Sequence, residues 1–268
     1  MPNAIPPLTA EQFQQFFEVG FLQIPALFRA DEIAVMRASC DRLQKVADEL
    51  GQTGAEGFVQ HRGSQFVLGR VEEGELKGQV RIDRVVWVGA AEPHLLSVGE
   101  DPRLLSLAAQ VLHADTCEQL INQVHFKLPG DGVVFDWHQD SRHRRFGSDE
   151  WRDLNGRGSF VEIALALDEV GLDNGPMQFV KYSPRYGHIL TSGQHHVLPD
   201  FYIEKEQIVT PTMQAGDVLL FGPLAIHGSL ANHSTRPRRM LLNGYAFPGA
   251  NSRVYPGDGA GRTLHCAR

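Results

Sequence analysis

Trp137-His138-Gln139-Asp140 and, much later in the chain, Ile226-His227-Gly228-Ser229 are the two stretches on which the reading of this sequence turns. In an extended strand residues i and i+2 point to one face, so His138 and Asp140 can reach a single metal ion together. His227 must then arrive from a second strand that is close in space and distant in sequence, as the strands of a β-barrel are. Two imidazoles and one carboxylate form a donor set suited to non-haem iron(II), with one face held and the other open. A His-x-Asp pair alone is weak evidence in a chain with twelve histidines, so the weight rests on what surrounds it. The histidines at His125, His143, His188, His195, His196, His233 and His265 are expected at the surface or behind the ligands.

The residues after His227 add a second function. Ser229 lies two positions on, and Arg238 opens the apolar run Met240-Leu241-Leu242. A strand there, next to that of His227, would carry Arg238 into the same cavity. A guanidinium pairs with a carboxylate through two parallel charge-assisted hydrogen bonds, and a serine hydroxyl can add a third donor. The competing reading is a solvated charge in a basic cluster, since Arg236 and Arg239 flank Arg238.

Outward from these motifs, the second half reads as strands. Residues 120–128, 160–167, 177–180, 217–221 and 240–247 are rich in β-branched and aromatic side chains, and Val161, Ile163, Leu165 and Leu167 alternate onto one side. Asp173-Asn174-Gly175 is a turn signal between two of them. The first half reads as helices: a capping box at Thr9-Ala10-Glu11-Gln12 with a stop at Gly20, a second helix over 31–50 stopped by Gly51, and a third over 102–113. Residues 21–24 form a short strand, and 52–95 are expected to be irregular apart from a strand over 80–86. The fold class is therefore α+β with a mainly β core, a barrel or sandwich preceded by flanking helices. One domain over 1–268 is expected, with 1–117 a mostly helical flank and 118–250 the β core.

Composition removes several function classes. The formal charge of −7 offers no basic face for nucleic acid, so no nucleic-acid partner is expected. No apolar run approaches the roughly 18 residues of a membrane span, and the first residues lack a basic, apolar leader pattern. Cys40, Cys117 and Cys266 are far apart and form no CxxC, which speaks against a disulfide framework or a zinc site and points to a cytoplasmic location.

The ordered set Phe126-Lys127-Leu128-Pro129-Gly130, Trp137-His138-Gln139-Asp140, Asp173-Asn174-Gly175-Pro176-Met177-Gln178-Phe179-Val180, Gly216-Asp217-Val218-Leu219-Leu220-Phe221 and Ile226-His227-Gly228-Ser229, with Arg238 following, resembles the phytanoyl-CoA dioxygenase (PhyH) family of iron(II)- and 2-oxoglutarate-dependent oxygenases. The resemblance covers about 121–255, and Gly20-Phe21-Leu22-Gln23-Ile24-Pro25 also looks like the family's opening. It implies a double-stranded β-helix (jelly roll, cupin-like). It implies iron(II) on His138, Asp140 and His227, and 2-oxoglutarate on Arg238 with help from Ser229. Lys127 matches a family lysine near the co-substrate, and Gln123 is a further polar candidate in the pocket. O2 would be the second co-substrate, 2-oxoglutarate would end as succinate and CO2, and a small molecule would be hydroxylated at a C–H bond. A cupin-type metal protein or oxygenase that makes no use of 2-oxoglutarate is the alternative; it would have no need of Arg238 in the cavity.

The family's Pro-Gly-Ser-His turn is replaced here by Lys181-Tyr182-Ser183-Pro184-Arg185-Tyr186-Gly187-His188, keeping Ser183 and His188 in similar places. Residues 141–158, rich in arginine, read either as a cationic lid over the cavity mouth or as a self-neutralising surface loop, and 191–207, with His195 and His196, is a second candidate lid. Related halogenases lack the carboxylate of the His-x-Asp pair, so Asp140 directs the expectation to hydroxylation. Asp140→Ala is expected to abolish succinate formation and weaken iron(II) binding; retained turnover would remove Asp140 from the metal set.

Overall fold

The computed structural model describes residues 5–190 and 198–266. Its strands are β1 (Phe21–Ile24), β2 (Gly57–His61), β3 (Ser64–Arg70), β4 (Val80–Val86), β5 (Thr116–Lys127), β6 (Phe135–His138), β7 (Phe160–Ala166), β8 (Met177–Val180), β9 (Ile208–Val209), β10 (Val218–Phe221), β11 (His227–Ser229), β12 (Arg238–Ala246) and β13 (Arg262–His265). The helices are α1 (Ala10–Gln14), α2 (Ala30–Gln52), α3 (Pro93–Val98), α4 (Pro102–Leu112) and α5 (Asp140–His143). A nine-stranded sheet runs β1-β10-β7-β12-β5-β4-β3-β2, with β13 also on β5, and a four-stranded sheet runs β6-β11-β8-β9. Every pairing is antiparallel. The two sheets face each other as a jelly roll with the helices on the outer face of the larger one.

Strand alternation creates these layers. Val161, Ile163 and Leu165 of β7 join Val218, Leu220, Leu241 and Tyr245 in a core shared with Ile33, Met36, Leu43 and Ala47 of α2 and with Leu104, Leu107 and Val111 of α4. Phe160, Ala164 and Ala166 of β7 turn the other way and meet Leu219, Phe221, Met240 and Leu242 between the sheets. The alternation expected for 160–167 is present, and both faces are buried because both are covered. Fully burying one Leu or Ile contributes roughly 1.5–3 kcal/mol, so the helical layer is a large part of the stability of a sheet that could not stand alone.

Several local readings need correcting. Residues 57–70, expected to be irregular, form the β2–β3 hairpin. Its turn is Arg62-Gly63, both at positive φ (49° and 76°), the two-residue geometry that matches strand twist. An arginine at the first turn position, where Asn or Asp is usual, hid the signal. Gly51 does not stop α2, which continues to Gln52. Its role is close approach: a Cβ at Gly51 would lie 2.3 Å from Cγ2 of Val80. The capping box at Thr9 and Gln12 is present, and Gly20 ends that helical segment at φ 107°. Cys117 and Cys266, distant in sequence, have sulfurs 3.3 Å apart as free thiols once β13 lies beside β5. Among the described residues no helix is long and apolar enough to cross a membrane.

Alanine is the better helix former by about 1 kcal/mol, so Gly51→Ala would stabilise an isolated α2. Here the clash with Val80 decides the sign, and the variant is expected to lose about 1–3 kcal/mol in chemical denaturation. Adding Val80→Ala should recover part of the loss; stabilisation by Gly51→Ala alone would show that α2 and β4 part freely.

Candidate metal and co-substrate site

The smaller sheet brings the histidines together. β6 and β11 pair so that His138 and His227 are direct cross-strand partners, with ring centroids 4.2 Å apart. The Nδ1 of His138 lies 2.7 Å from the carbonyl oxygen of Asp136, and the Nδ1 of His227 lies 3.0 Å from that of Ala225. A carbonyl only accepts, so each Nδ1 carries the proton and each Nε2 keeps its lone pair free for a metal. Burial, followed by the neighbouring His138, pushes His227 down to about 4, which keeps it neutral near pH 7.

Asp140 does not continue the strand. Gln139 is extended, and Asp140 is the first residue of the single-turn helix α5, with its carboxylate Oδ1 3.9 Å from the Nε2 of His138. Burial works to raise its pKa, but His227, Arg144, His138 and His143 together hold the carboxyl below its usual range. The middle residue of the motif points elsewhere: the Gln139 amide donates to the carbonyls of Gly187 and Leu224 and accepts from the Ile189 N–H. The helical turn also has a consequence unseen in the sequence. His143, three residues after Asp140, comes onto the same face, and His138, Asp140 and His143 offer ligand atoms within 4.8 Å of one another. His143 was expected at the surface or behind the ligands; the i, i+3 relation was the available signal, concealed by the extended reading of Asp140. Two free imidazole nitrogens, one buried carboxylate and a further imidazole at the rim form a set that fits a divalent iron ion.

Strand alternation on β11 puts Ser229 on the same side as His227, and both line the cavity. β12 decides the fate of the arginine cluster. Arg236, before the strand, pairs with Glu169 and Asp173 at the surface. Arg239 faces the helices and makes a bidentate pair with Asp168, at 2.8 and 3.0 Å, plus a contact with Asp41. Arg238 alone turns inward, 1% exposed and lining the cavity. Burial lowers it to about 10, with Asp131 and Asp168 opposing, so it stays charged at neutral pH. Its Nε and Nη2 donate to the carbonyl of Gly175. Among the described residues no carboxylate lies within ion-pair distance of it.

Gly175 is the point where the Asp173-Asn174-Gly175 turn meets the site. It sits at φ 81°, and a Cβ there would lie 2.6 Å from Cδ of Lys127 and 2.8 Å from the Leu230 carbonyl. Lys127 is fully buried, and its Nζ donates to the carbonyls of Val133, Ser229 and Leu230. Burial and then Arg238 push it down to about 6. Its side chain is thus committed to backbone oxygens and is not among the cavity-lining groups; it holds the end of β11 rather than facing a co-substrate. Gln123 does line the cavity, as does His125, which stacks on Phe135 at 4.9 Å. Ser183 accepts from the Ile226 N–H, and His188 contacts the Ser141 hydroxyl, so both support the ligand strands from behind. In the 141–158 loop Arg144 and His143 reach the cavity, while Arg145 pairs with Glu150 and Arg157 lies over Phe17. Of the second candidate lid, 191–197 with His195 and His196 lie outside the described residues.

The profile of the phytanoyl-CoA dioxygenase (PhyH) family matches residues 16–240. The chain belongs to that family. It is accordingly an enzyme of the iron- and 2-oxoglutarate-dependent dioxygenase class. Among PhyH relatives, the ectoine dioxygenase of Bordetella parapertussis is 26% identical over 260 residues, covering 89% of this chain and 75% of that one. The fold matches EctD from S. alaskensis with bound Fe at a TM-score of 0.70, with 20% identity over 98% of this chain and 88% of that one. It matches EctD with 2-oxoglutarate and 5-hydroxyectoine at 0.69, with 22% identity over 96% and 82% of the two chains.

The turn at Gly175 carries the carbonyl that anchors Arg238. Gly175→Ala is expected to cost about 1–3 kcal/mol of stability through positive φ and overlap with Lys127. Equilibrium denaturation measures it; an unchanged midpoint would mean that the turn relaxes freely.

Proposed function

We propose that the protein uses iron(II), 2-oxoglutarate and O2 to hydroxylate a C–H bond of a small metabolite, with 2-oxoglutarate ending as succinate and CO2. His138, Asp140 and His227 would hold the iron. Arg238 would take the distal carboxylate of 2-oxoglutarate, with the Ser229 hydroxyl as a further donor and Gln123 as a polar neighbour in the cavity. Lys127 would act at a distance, by fixing the Ser229–Leu230 backbone.

The observation that carries this reading is Arg238: a guanidinium buried to 1% exposure, facing the cavity beside the histidines and lacking a carboxylate partner among the described residues. A buried charge without a partner is costly, so a fold that retains one has an anionic ligand to satisfy it. A metal protein with no use for 2-oxoglutarate would have no such need. The bound metal would supply oxygen activation coupled to decarboxylation of the co-substrate. The chain's own part is positional: the Asp136 and Ala225 carbonyls orient the two imidazoles, and the Gly175 carbonyl aims Arg238. Phe179 and Phe221 pack around His227, with ring centroids 5.7 and 4.7 Å away, and keep water from that side. The cavity, about 260 Å³, is on the scale of small molecules rather than large ones. Asp140 would hold the metal where a halide would otherwise be needed, which favours hydroxylation.

Anaerobic addition of iron(II) and 2-oxoglutarate should give a visible charge-transfer absorption. Arg238→Met should still bind iron but need about 100-fold more 2-oxoglutarate, the loss expected for a charge-assisted bidentate pair worth about 3 kcal/mol. An absent absorption in the unaltered protein would overturn the reading, and unchanged 2-oxoglutarate affinity in the variant would remove Arg238 from it.

A further inference from the structure

The wall of the cavity away from Arg238 carries charge that the iron and 2-oxoglutarate do not use. Glu162 stands on the interior face of β7, between Phe160 and Ala164, with Phe221 and Gly244 as its strand neighbours. Glycine is required beside it: a Cβ at Gly244 would lie 2.8 Å from Oε2 of Glu162. Arg144 closes the turn of α5, its backbone N–H bonded to the Asp140 carbonyl at 2.9 Å. Its guanidinium lies over the rings of Phe160 and Tyr255, at 4.6 and 5.1 Å. Glu162, Arg144 and Tyr255 all line the cavity and are 2%, 6% and 8% exposed.

Oε1 of Glu162, Nε and Nη1 of Arg144 and the hydroxyl of Tyr255 are buried without a hydrogen-bond partner among the described residues. Nor do Arg144 and Glu162 form an ion pair with each other. Buried polar groups in folded proteins are paired, and unpaired ones mark a ligand that completes them. Here the set has both kinds of group: two guanidinium nitrogens kept charged against burial by Tyr255, Asp140 and Glu162, and a Glu162 carboxyl that burial and then Asp140 raise to about 8, so that a cation beside it is what would ionise it. With Arg238 proposed for the co-substrate, Arg144 is a second cation on the cavity wall with donors to offer an anion.

We propose that the substrate is a small zwitterion, whose anionic group docks on Arg144 and the Tyr255 hydroxyl and whose cationic N–H group donates to Glu162. This rests on the reading of the site as an iron and 2-oxoglutarate centre. The two receptors flank the metal set, because Arg144 follows Asp140 by one helical turn. They would therefore hold a molecule of amino-acid size by its charged groups and leave its carbon frame toward the metal. The rings of Phe160 and Tyr255, each in contact with the guanidinium, hold it in place before the ligand arrives, which lowers the ordering cost of binding.

The test uses the protein loaded with iron(II) and 2-oxoglutarate without oxygen. The probes are the common amino acids and ectoine, each beside its decarboxylated amine and its N-acetylated acid. Two signals are read: the change in the charge-transfer absorption, and the thermal shift of the metal-free protein. At least one zwitterion should perturb both, and its singly charged analogues should bind about 10- to 100-fold more weakly, the scale of a charged hydrogen-bonded contact. Arg144→Met should erase the preference for the zwitterion over the amine. Glu162→Gln should erase the preference over the N-acetylated acid. Arg144→Lys and Tyr255→Phe keep shape and most packing, and should weaken the same zwitterion with little change in melting temperature. A neutral or singly charged molecule as the tightest binder, a charge-transfer absorption that no zwitterion perturbs, or variants that weaken all probes equally would overturn the proposal. Failure to develop that absorption at all would strike the iron and 2-oxoglutarate reading instead, so the two failures are distinguishable.

Discussion

The antiparallel pairing of β6 with β11 is the constraint on which the site depends. It makes His138 and His227 cross-strand partners, and the Asp136 and Ala225 carbonyls fix their tautomers. With the two rings paired across the strands, 4.2 Å between centroids, the other groups are placed by their position in the chain. Asp140 enters two residues beyond the end of β6, and Ser229 follows His227 on the same face. The chain between the two histidines has only to return to the same sheet, and β8, lying on the other side of β11, makes that return.

The larger sheet supports this pairing by dividing its side chains strictly between two environments. The same alternation that sends Val161, Ile163 and Leu165 to the helices sends Phe160, Glu162 and Ala164 between the sheets, where Glu162 lines the cavity. The same alternation on β12 separates Arg238 from Arg239. Arg239 finds Asp168 and Asp41 and becomes structure, whereas Arg238 finds only a backbone carbonyl and remains available to a ligand. Two adjacent residues of one type thus acquire opposite roles from a period of two.

Buried polar groups in this fold are of two kinds. Lys127, Gln139, Ser183 and Asn122 are saturated by backbone and side-chain partners, and hold strands and loops in register. Arg144, Glu162 and Tyr255 face the cavity with buried polar atoms left unpaired among the described residues, and Arg238 faces it without a carboxylate partner there. Lys127 is the instructive case, because a family resemblance brought it to the co-substrate and the structure turns its amino group to the carbonyls of Val133 and of Ser229 and Leu230 at the end of β11. Its proximity to the site is real, but its contacts are with the frame.

By itself the sequence determined the motifs, the strand-rich second half and the period-two pattern, because these are local: donor spacing, turn chemistry and alternation are written within a few residues. Thr9, Gly20 and the Asn174-Gly175 turn behave as their local chemistry requires. Tertiary structure decided what depends on distant neighbours. The β2–β3 hairpin was hidden because Arg62 disguises its turn, and Gly51 has its role from Val80 rather than from α2. His143 came within reach of His138 and Asp140 because Asp140 begins a helical turn. Only packing could distinguish Arg144 from the other arginines of its loop. A charge is solvated or buried according to what covers it, and covering is a property of the assembled sheets that no short stretch of chain encodes.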